Sequence, residues 1–217
     1  MNFSQARTAM VDSQVRPNDV TKYSIIAALL NTERENFVPE AMRSVAYADA
    51  PISLDDGRVL LDARVFSKLL DALNIQPTDF VLDIGCGLGY STAILAQLAE
   101  AVIGVEEDAM MARTAADNLV AAQADNAVIE EGSLVAGAKK HGPYDVVMIQ
   151  GAVENLPKAL AAQIKDGGRI GVIFNENGVG TARIGIKSGD VISWRDTFNA
   201  DAPVLPGFEN APGFTFG

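Results

Sequence analysis

The chain has 217 residues, of which 48% are hydrophobic and 21% are charged, and its formal net charge is −11. This length and composition predict one globular unit with a substantial core, or such a unit with an extra lobe. The strong negative charge makes nucleic acid a poor candidate partner, because binding to phosphates relies on Lys and Arg.

The first 75 residues are predicted to form a helical lobe that contains one long loop. Asp19 is placed to cap a helix whose apolar face begins at Tyr23. Residues 47–62, which are rich in Pro, Asp and Gly, are typical of a loop. A second helix is predicted over residues 63–74, where apolar side chains recur at helical spacing.

From residue 79 onwards the pattern alternates between strand and helix. Strands are predicted at Phe80–Ile84, Val102–Glu106, Val128–Ile129, Asp145–Ile149 and Ile170–Phe174, and helices at 91–99, 108–123 and 156–164. Apolar strands alternating with helices predict a mostly parallel sheet that is covered on both faces. A hairpin over residues 184–192 would add antiparallel strands at one edge, and the irregular apolar tail is expected to pack on the body.

One segment carries the signature of a cofactor site. Residues 81–90 read Val-Leu-Asp-Ile-Gly-Cys-Gly-Leu-Gly-Tyr, an apolar strand that ends in a glycine loop before a helix. Glycines let the backbone turn tightly and approach a ligand closely. The dinucleotide motif G-x-G-x-x-G would need a glycine where Tyr90 stands, so a nicotinamide enzyme is a minor alternative. The pattern resembles the first motif of S-adenosylmethionine-dependent methyltransferases.

Candidate cofactor residues follow four of the predicted strands, since ligands of open parallel sheets bind beyond the carboxyl ends of the strands. Glu106 is placed to accept hydrogen bonds from both ribose hydroxyls, the loop at 131–134 would hold adenine, and Gln150 would lie near the reacting methyl group. The predicted cofactor-binding residues are Asp83, Gly85, Cys86, Gly87, Gly89, Glu106, Glu107, Ser133, Leu134 and Gln150.

Other chemistry is limited by residue counts. Cys86 is the only cysteine and His141 the only histidine, which excludes an internal disulfide and leaves a zinc site unsupported. His141 is expected in an exposed loop rather than as a general base, and Trp194 is expected in the core. No signal-peptide core and no run of ~18 apolar residues is present, so we expect a cytoplasmic, soluble protein without metal or membrane partner.

Further motifs resemble the protein-L-isoaspartate O-methyltransferase family, over nearly the whole chain up to about residue 175. Residues 34–39 read Arg-Glu-Asn-Phe-Val-Pro, which is similar to the family's R-x-x-F-V-P. Residues 46–49 resemble its A-Y-x-D, and residues 142–145 and 160–168 resemble its P-Y-D and L-x-x-Q-L-K-x-G-G. The resemblance implies a Rossmann-like class I methyltransferase fold of the α/β class, which is mostly parallel with an antiparallel edge hairpin and a helical N-terminal lobe.

The same resemblance implies a division of labour and an activity. Residues 1–75 would form the N-terminal lobe with the substrate loop, and residues 76–217 would form the domain that binds S-adenosyl-L-methionine. The methyl group of this cofactor would be transferred to a carboxylate of an isoaspartyl residue in damaged protein or peptide. The oligomeric state stays open.

The chain departs from the family pattern in its substrate loop. The family's G-Q-T-I-S-Q-P corresponds to residues 57–63, Gly-Arg-Val-Leu-Leu-Asp-Ala. Val59 and Leu61 stand where threonine and serine hydroxyls would face cofactor and substrate. Arg58 and Arg64 flank this loop, and either could clamp a carboxylate, with a solvated surface arginine as the alternative for each. The catalytic residues stay unknown at this point, and no general base is needed, because a carboxylate nucleophile is already ionised at pH 7.

Three interpretations are therefore open. The chain could be an isoaspartyl methyltransferase, a methyltransferase with a different acceptor, or a catalytically inactive protein that binds S-adenosylmethionine or S-adenosylhomocysteine. The complete glycine loop favours cofactor binding in all three, whereas the altered substrate loop separates them.

Overall fold

The structure, a computed structural model, describes residues 2–55, 57–176 and 178–210. Asp56 of the predicted loop and Pro212, Phe214 and Phe216 of the predicted tail lie outside the described residues.

Helices and strands alternate after a helical N-terminal region. The α-helices are α1 (Phe3–Met10), α2 (Tyr23–Asn31), α3 (Ala63–Leu73), α4 (Tyr90–Ala96), α5 (Ala109–Ala121) and α6 (Lys158–Ala161). The strands are β1 (Ile52–Asp55), β2 (Arg58–Leu60), β3 (Phe80–Ile84), β4 (Ala101–Glu106), β5 (Ala127–Glu131), β6 (Tyr144–Val153), β7 (Ile164–Glu176), β8 (Val179–Ser188) and β9 (Val191–Asn199).

Seven strands form one sheet in the order β5-β4-β3-β6-β7-β8-β9. The strands from β5 to β7 pair in parallel, and β8 and β9 add an antiparallel hairpin at one edge. The predicted α/β class with an antiparallel edge hairpin is confirmed. Since parallel strands end at the same side, the carboxyl ends of β3, β4 and β6 meet at one edge of the sheet.

Each face of the sheet carries its own hydrophobic core, because successive side chains of a strand point to opposite faces. Val81 belongs to the core that contains Met10 and Leu29 of the N-terminal helices. Leu82 belongs to the core that contains Leu205 and Phe208 near the C-terminus. The N-terminal helices thus share a core with the sheet, and the division at residue 75 stays a prediction.

Two details of the N-terminal region differ from the prediction. Asp19 does not cap α2: its backbone is left-handed, with φ of 66°, and α2 begins four residues later without a side-chain cap. Tyr23 is 85% exposed and does not lie on the buried face. The residues predicted as a loop contain the antiparallel pair β1–β2, whose Ile52 and Leu54 point into the core.

The region after β6 also differs. The helix predicted over residues 156–164 is reduced to α6, and β7 begins at Ile164, earlier than predicted. Asp166, Gly167 and Gly168, predicted to end the helix, lie inside β7. Within the described ranges, no helix has the length and apolarity needed to cross a membrane.

Candidate functional site

The glycine loop joins β3 to α4 at the carboxyl edge of the sheet. Gly85, Gly87 and Gly89 have φ angles of 75°, 56° and 94°, a region that only glycine adopts without strain. The N–H groups of Gly85 and Cys86 donate to the carbonyl of Val105 at 2.9 and 3.3 Å. The loop is therefore held against the end of β4, which is where the sequence predicts a ligand.

Asp83 anchors the loop from below. Its Oδ2 accepts hydrogen bonds from the hydroxyls of Ser91 and Thr92 at 2.6 and 2.7 Å, and its Oδ1 accepts one from Gln150 Nε2 at 2.7 Å. Gln150 reaches this position because β6 carries two extra residues against β7 between Met148 and Ala152. Asp83 is entirely buried, and burial raises its pKa to about 6 although the three hydrogen bonds act in the opposite direction.

The raised pKa of Asp83 predicts a stability that depends on pH. Between about pH 4 and 6 the folded protein holds a proton that the unfolded chain releases, so the free energy of unfolding increases as the pH falls. A shift of about two units corresponds to up to about 3 kcal/mol. Urea unfolding of Asp83→Asn at several pH values should lack this increase, because amide groups do not titrate there.

The control for this experiment is Asp145→Asn. Burial alone would raise the pKa of Asp145, but hydrogen bonds from Lys165 and the Phe80 N–H lower it below its ordinary value. The contribution of Asp145 should therefore stay constant between pH 5 and 7. Parallel stability curves for the wild type and Asp83→Asn over that range would contradict the prediction.

Glu106 ends β4 and is entirely buried. Its Oε1 accepts from Arg58 Nη1 at 2.9 Å and from the N–H groups of Glu107 and Asp108 at 2.9 and 3.2 Å. Its Oε2 accepts from Arg58 Nη2 at 2.9 Å and from the Gly87 N–H at 2.8 Å. The carboxylate predicted to bind ribose thus has both oxygens paired with one guanidinium.

The structure places the Arg58 side chain against Glu106 and not in solvent. The prediction offered a substrate clamp or a solvated surface arginine, but its side chain is only 5% exposed and makes a bidentate pair with Glu106. The only sequence signal for this was that arginine replaces the glutamine of the G-Q-T-I-S-Q-P motif. Arg64 lies half-buried in the first turn of α3, and among the described residues it makes no ion pair.

Val59 and Leu61, the two positions without hydroxyls, lie in β2 and directly after it. Val59 is half-buried and pairs with Ser53 in the β1–β2 ladder. Leu61 is 1% exposed, and its carbonyl accepts a hydrogen bond from Arg34 Nη2 at 2.8 Å. The substrate loop is therefore ordered by backbone contacts and apolar packing.

The remaining predicted residues spread around the same edge. Leu134 is buried and Ser133 is exposed. Glu107 is an exposed residue whose carboxyl group is partly buried. This burial and the charge of Glu106 raise the pKa of Glu107, although the charge of Arg58 acts in the opposite direction. Burial, followed by the charges of Asp83 and Glu106, raises the pKa of the Cys86 thiol well above its usual value, which makes it unreactive.

Two other side chains lie elsewhere. His141 is exposed, as predicted, and its Nε2 lies 3.0 Å from Glu130 Oε2. It precedes β6, at the amino end of that strand, and so is on the opposite edge from the glycine loop. Trp194 is half-buried and packs edge-on against Phe174 with ring centroids 4.8 Å apart.

Comparison with known proteins decides the family. A family model described as protein-L-isoaspartate(D-aspartate) O-methyltransferase (PCMT) matches residues 5–192. The chain belongs to this family. Its relatives include protein-L-isoaspartate O-methyltransferase 2 of Pelobacter propionicus, 31% identical over 78% of this chain and 75% of the relative. The protein-L-isoaspartate O-methyltransferase of Syntrophus aciditrophicus is 33% identical over 77% of each chain.

Solved structures agree on the fold. One protein-L-isoaspartate O-methyltransferase superposes with a TM-score of 0.80 at 21% identity, covering 93% of this chain and 66% of the other. A Plasmodium falciparum protein assigned to the same activity, in complex with S-adenosyl-L-homocysteine, gives a TM-score of 0.78 at 17% identity. The predicted family, fold class and enzyme class, a methyltransferase that uses S-adenosylmethionine, are confirmed at the level of the family.

The site of this PCMT member can be tested against the family's cofactor. The left-handed glycines would let the backbone approach S-adenosylmethionine closely, and the Glu106 carboxylate suits the ribose diol of this cofactor. The position of Arg58 does not fit, because its two Nη atoms already occupy the carboxylate oxygens that a ribose diol needs. A bound cofactor would have to compete with Arg58 for Glu106.

Proposed function

We propose that this chain is an S-adenosylmethionine-dependent O-methyltransferase that methylates a carboxylate in damaged protein or peptide. The observation that carries the proposal is the link between loop and acid: Gly87, in the left-handed region, donates to Glu106 Oε2 at 2.8 Å. The family match supports the same activity. A cytoplasmic location belongs to this proposal, and the single buried cysteine is compatible with it.

The chemistry asks little of the side chains beyond positioning. A substrate carboxylate has a pKa near 4 and is ionised at neutral pH, so no general base is needed. Holding the reacting atoms in line can then supply roughly 7–11 kcal/mol of the barrier reduction. This chain offers no hydroxyl at Val59 or Leu61 for that purpose.

Arg64 is the candidate residue for holding the substrate carboxylate. It lies at the start of α3, directly after the substrate loop, and is unpaired within the described part of the chain. A guanidinium matches a carboxylate with two parallel hydrogen bonds. The alternative is a methyltransferase with a different acceptor. The apolar Val59 and Leu61 support this alternative, because they leave an isoaspartyl carboxylate with fewer donors.

The decisive experiment uses labelled S-adenosylmethionine with an isoaspartyl peptide and its normal aspartyl twin. We expect a base-labile methyl ester on the isoaspartyl peptide only, reduced about tenfold or more in Arg64→Ala, since a lost charged hydrogen bond is worth about 1.5–3 kcal/mol. Lys68→Ala, four residues further along α3, is the matched control and should keep the activity.

The outcomes separate the candidate functions. Absence of methyl ester on both peptides would overturn the isoaspartyl activity. If S-adenosylhomocysteine still raised the melting temperature of the protein, the cofactor site would stand, and the chain would be either a methyltransferase with a different acceptor or a catalytically inactive binding protein. The closed pair of Arg58 and Glu106 is the observation that supports the inactive protein.

A further inference from the structure

We propose that Arg58 and residues 203–208, here called the tail strap, form a gate that closes the cofactor site. Cofactor binding would then require Arg58 to leave Glu106 and the tail strap to shift. The inference rests on the proposed function, because it concerns the site of the same cofactor.

Arg58 takes the place of the ribose. It presents two donors to the two oxygens of Glu106, each at 2.9 Å, as a vicinal diol would. The side chains of Arg58 and Glu106 are 5% and 0% exposed, so no second ligand reaches the carboxylate while the pair is formed. The pair is therefore a direct competitor of a ligand that carries two free hydroxyls.

The tail strap closes a second side of the site. The Ala152 N–H donates to the Pro203 carbonyl and the Leu205 N–H to the Ala152 carbonyl, both at 2.9 Å, at the carboxyl end of β6. Phe208 is entirely buried and its carbonyl accepts from the Glu154 N–H at 3.0 Å. These contacts hold the Leu205 side chain, 2% exposed, over the edge of the sheet.

The space beside the glycine loop is occupied by side chains of the β1–β2 pair and of the tail strap. A methyl group placed on Gly85 would lie 2.9 Å from Arg58 Nη2 and 3.2 Å from Leu205 Cδ1. One placed on Gly87 would lie 2.5 Å from Leu54 Cδ1, whereas one on Gly132 would have nothing within 4 Å. The space that the glycines create for a ligand is filled.

Neither part of the gate is a strand of the seven-stranded sheet, so both can shift without breaking its ladder. Arg58 and Leu54 belong to the β1–β2 pair, a two-stranded sheet separate from the main sheet. Among the described residues, the tail strap pairs with β6 at the bridge between Ala152 and Val204, and the N–H groups of Glu154 and Asn155 also donate to the Phe208 carbonyl. If only open molecules bind the cofactor, the apparent Kd equals the Kd of the open form divided by the fraction of molecules that are open.

The test is calorimetric titration of the full chain with S-adenosylhomocysteine. If nine molecules in ten or more are closed, Arg58→Ala should lower the Kd by about tenfold or more. Leu205→Ala, which removes no charge and leaves Glu106 paired, should lower the Kd in the same direction and covers the case in which Arg58→Ala fails to fold. Arg183→Ala removes an arginine of the exposed pair with Glu176 and should leave the Kd unchanged.

Each outcome decides one claim. A wild type that binds as tightly as both Arg58→Ala and Leu205→Ala would overturn the gate and retain the cofactor site. Absence of binding in all of these proteins at millimolar ligand would overturn the proposed function together with the gate. In the Glu106→Gln background, Arg58→Ala should leave the Kd unchanged, and a gain in affinity that persisted there would show that Arg58 does not act through Glu106.

Discussion

Replacing Arg34 with methionine is expected to lower the free energy of unfolding by about 3 kcal/mol. Arg34 is 1% exposed, and its Nε and Nη2 donate to the carbonyls of Ala46 and Leu61 at 2.7 and 2.8 Å. Its guanidinium also lies 4.8 Å from the ring centroid of Tyr90. Methionine fills the volume but leaves both buried carbonyls without a donor, and each such loss costs about 1–3 kcal/mol.

The measurement is urea unfolding of Arg34→Met beside Arg34→Lys and Arg16→Met. Lysine keeps the charge but lacks the planar fork, so it cannot serve both carbonyls and should give an intermediate loss. The Arg16 side chain is half-exposed and, in the part of the chain that the structure describes, pairs with Asp12 four positions earlier, so its replacement should have little effect. A loss for Arg34→Met no larger than for Arg16→Met would contradict the structural role of Arg34.

This arrangement explains a motif that the sequence could detect but not interpret. Arg34 begins the segment similar to R-x-x-F-V-P, and its side chain ties that segment to the substrate loop through the Leu61 carbonyl, 27 residues away. Residue order shows that an arginine is present. It does not show that the partners are two backbone carbonyls, because any residue type supplies those.

The parallel sheet could be predicted because its signals are local. Four consecutive core positions of β3 are buried, and the glycines that follow are required by left-handed backbone angles, so both appear directly in the sequence. The four-residue β1 and three-residue β2 lack such a signal: they are short, and Pro51 and Gly57 beside them are typical of loops. Their pairing depends on packing against the main body of the protein.

The sequence predicts where the site lies in the fold, but not which side chains occupy it. Asp83, Glu106 and the glycines lie at the carboxyl edge, since strand order brings them there. The pair of Arg58 and Glu106 joins residues 48 positions apart, and the tail strap brings Leu205 to Gly85. Contacts of this range depend on the folded chain as a whole, which no local pattern encodes.

The second large effect is expected at the pair itself. Removing one partner leaves a buried charge without compensation, which typically costs about 3–5 kcal/mol. Arg58→Met and Glu106→Gln should each destabilise the fold strongly, with the loss at the lower end for Glu106→Gln because the amide keeps one acceptor for the Gly87 N–H. The loss of unfolding free energy in the double variant should be smaller than the sum of the two single losses by about 2 kcal/mol.

The same set of two single variants and one double variant, a double-mutant cycle, at a second ion pair provides the comparison for this coupling. Arg183 of β8 forms a bidentate pair with Glu176, the last residue of β7, and also donates to Asp196. Because Glu176 is 58% exposed, Arg183→Met and Glu176→Gln should be nearly additive. Additive losses at Arg58 and Glu106 as well would contradict a tightly coupled buried pair, and they would also remove the energetic basis for a gate at this position.

The coupling free energy between Arg58 and Glu106 sets an upper limit on the affinity for cofactor that Arg58→Ala can gain. Opening does not leave Glu106 unpaired when a ribose diol replaces the two donors of Arg58, and the N–H groups of Gly87, Glu107 and Asp108 stay in place. Arg58 meanwhile regains its hydration. The net cost of opening with ligand bound is therefore smaller than the coupling free energy expected between Arg58 and Glu106. The affinity gained by Arg58→Ala should then fall below the factor that this coupling free energy corresponds to, at 1.4 kcal/mol per tenfold. A gain above that limit would mean that Arg58 excludes the ligand sterically as well as by competing for hydrogen bonds.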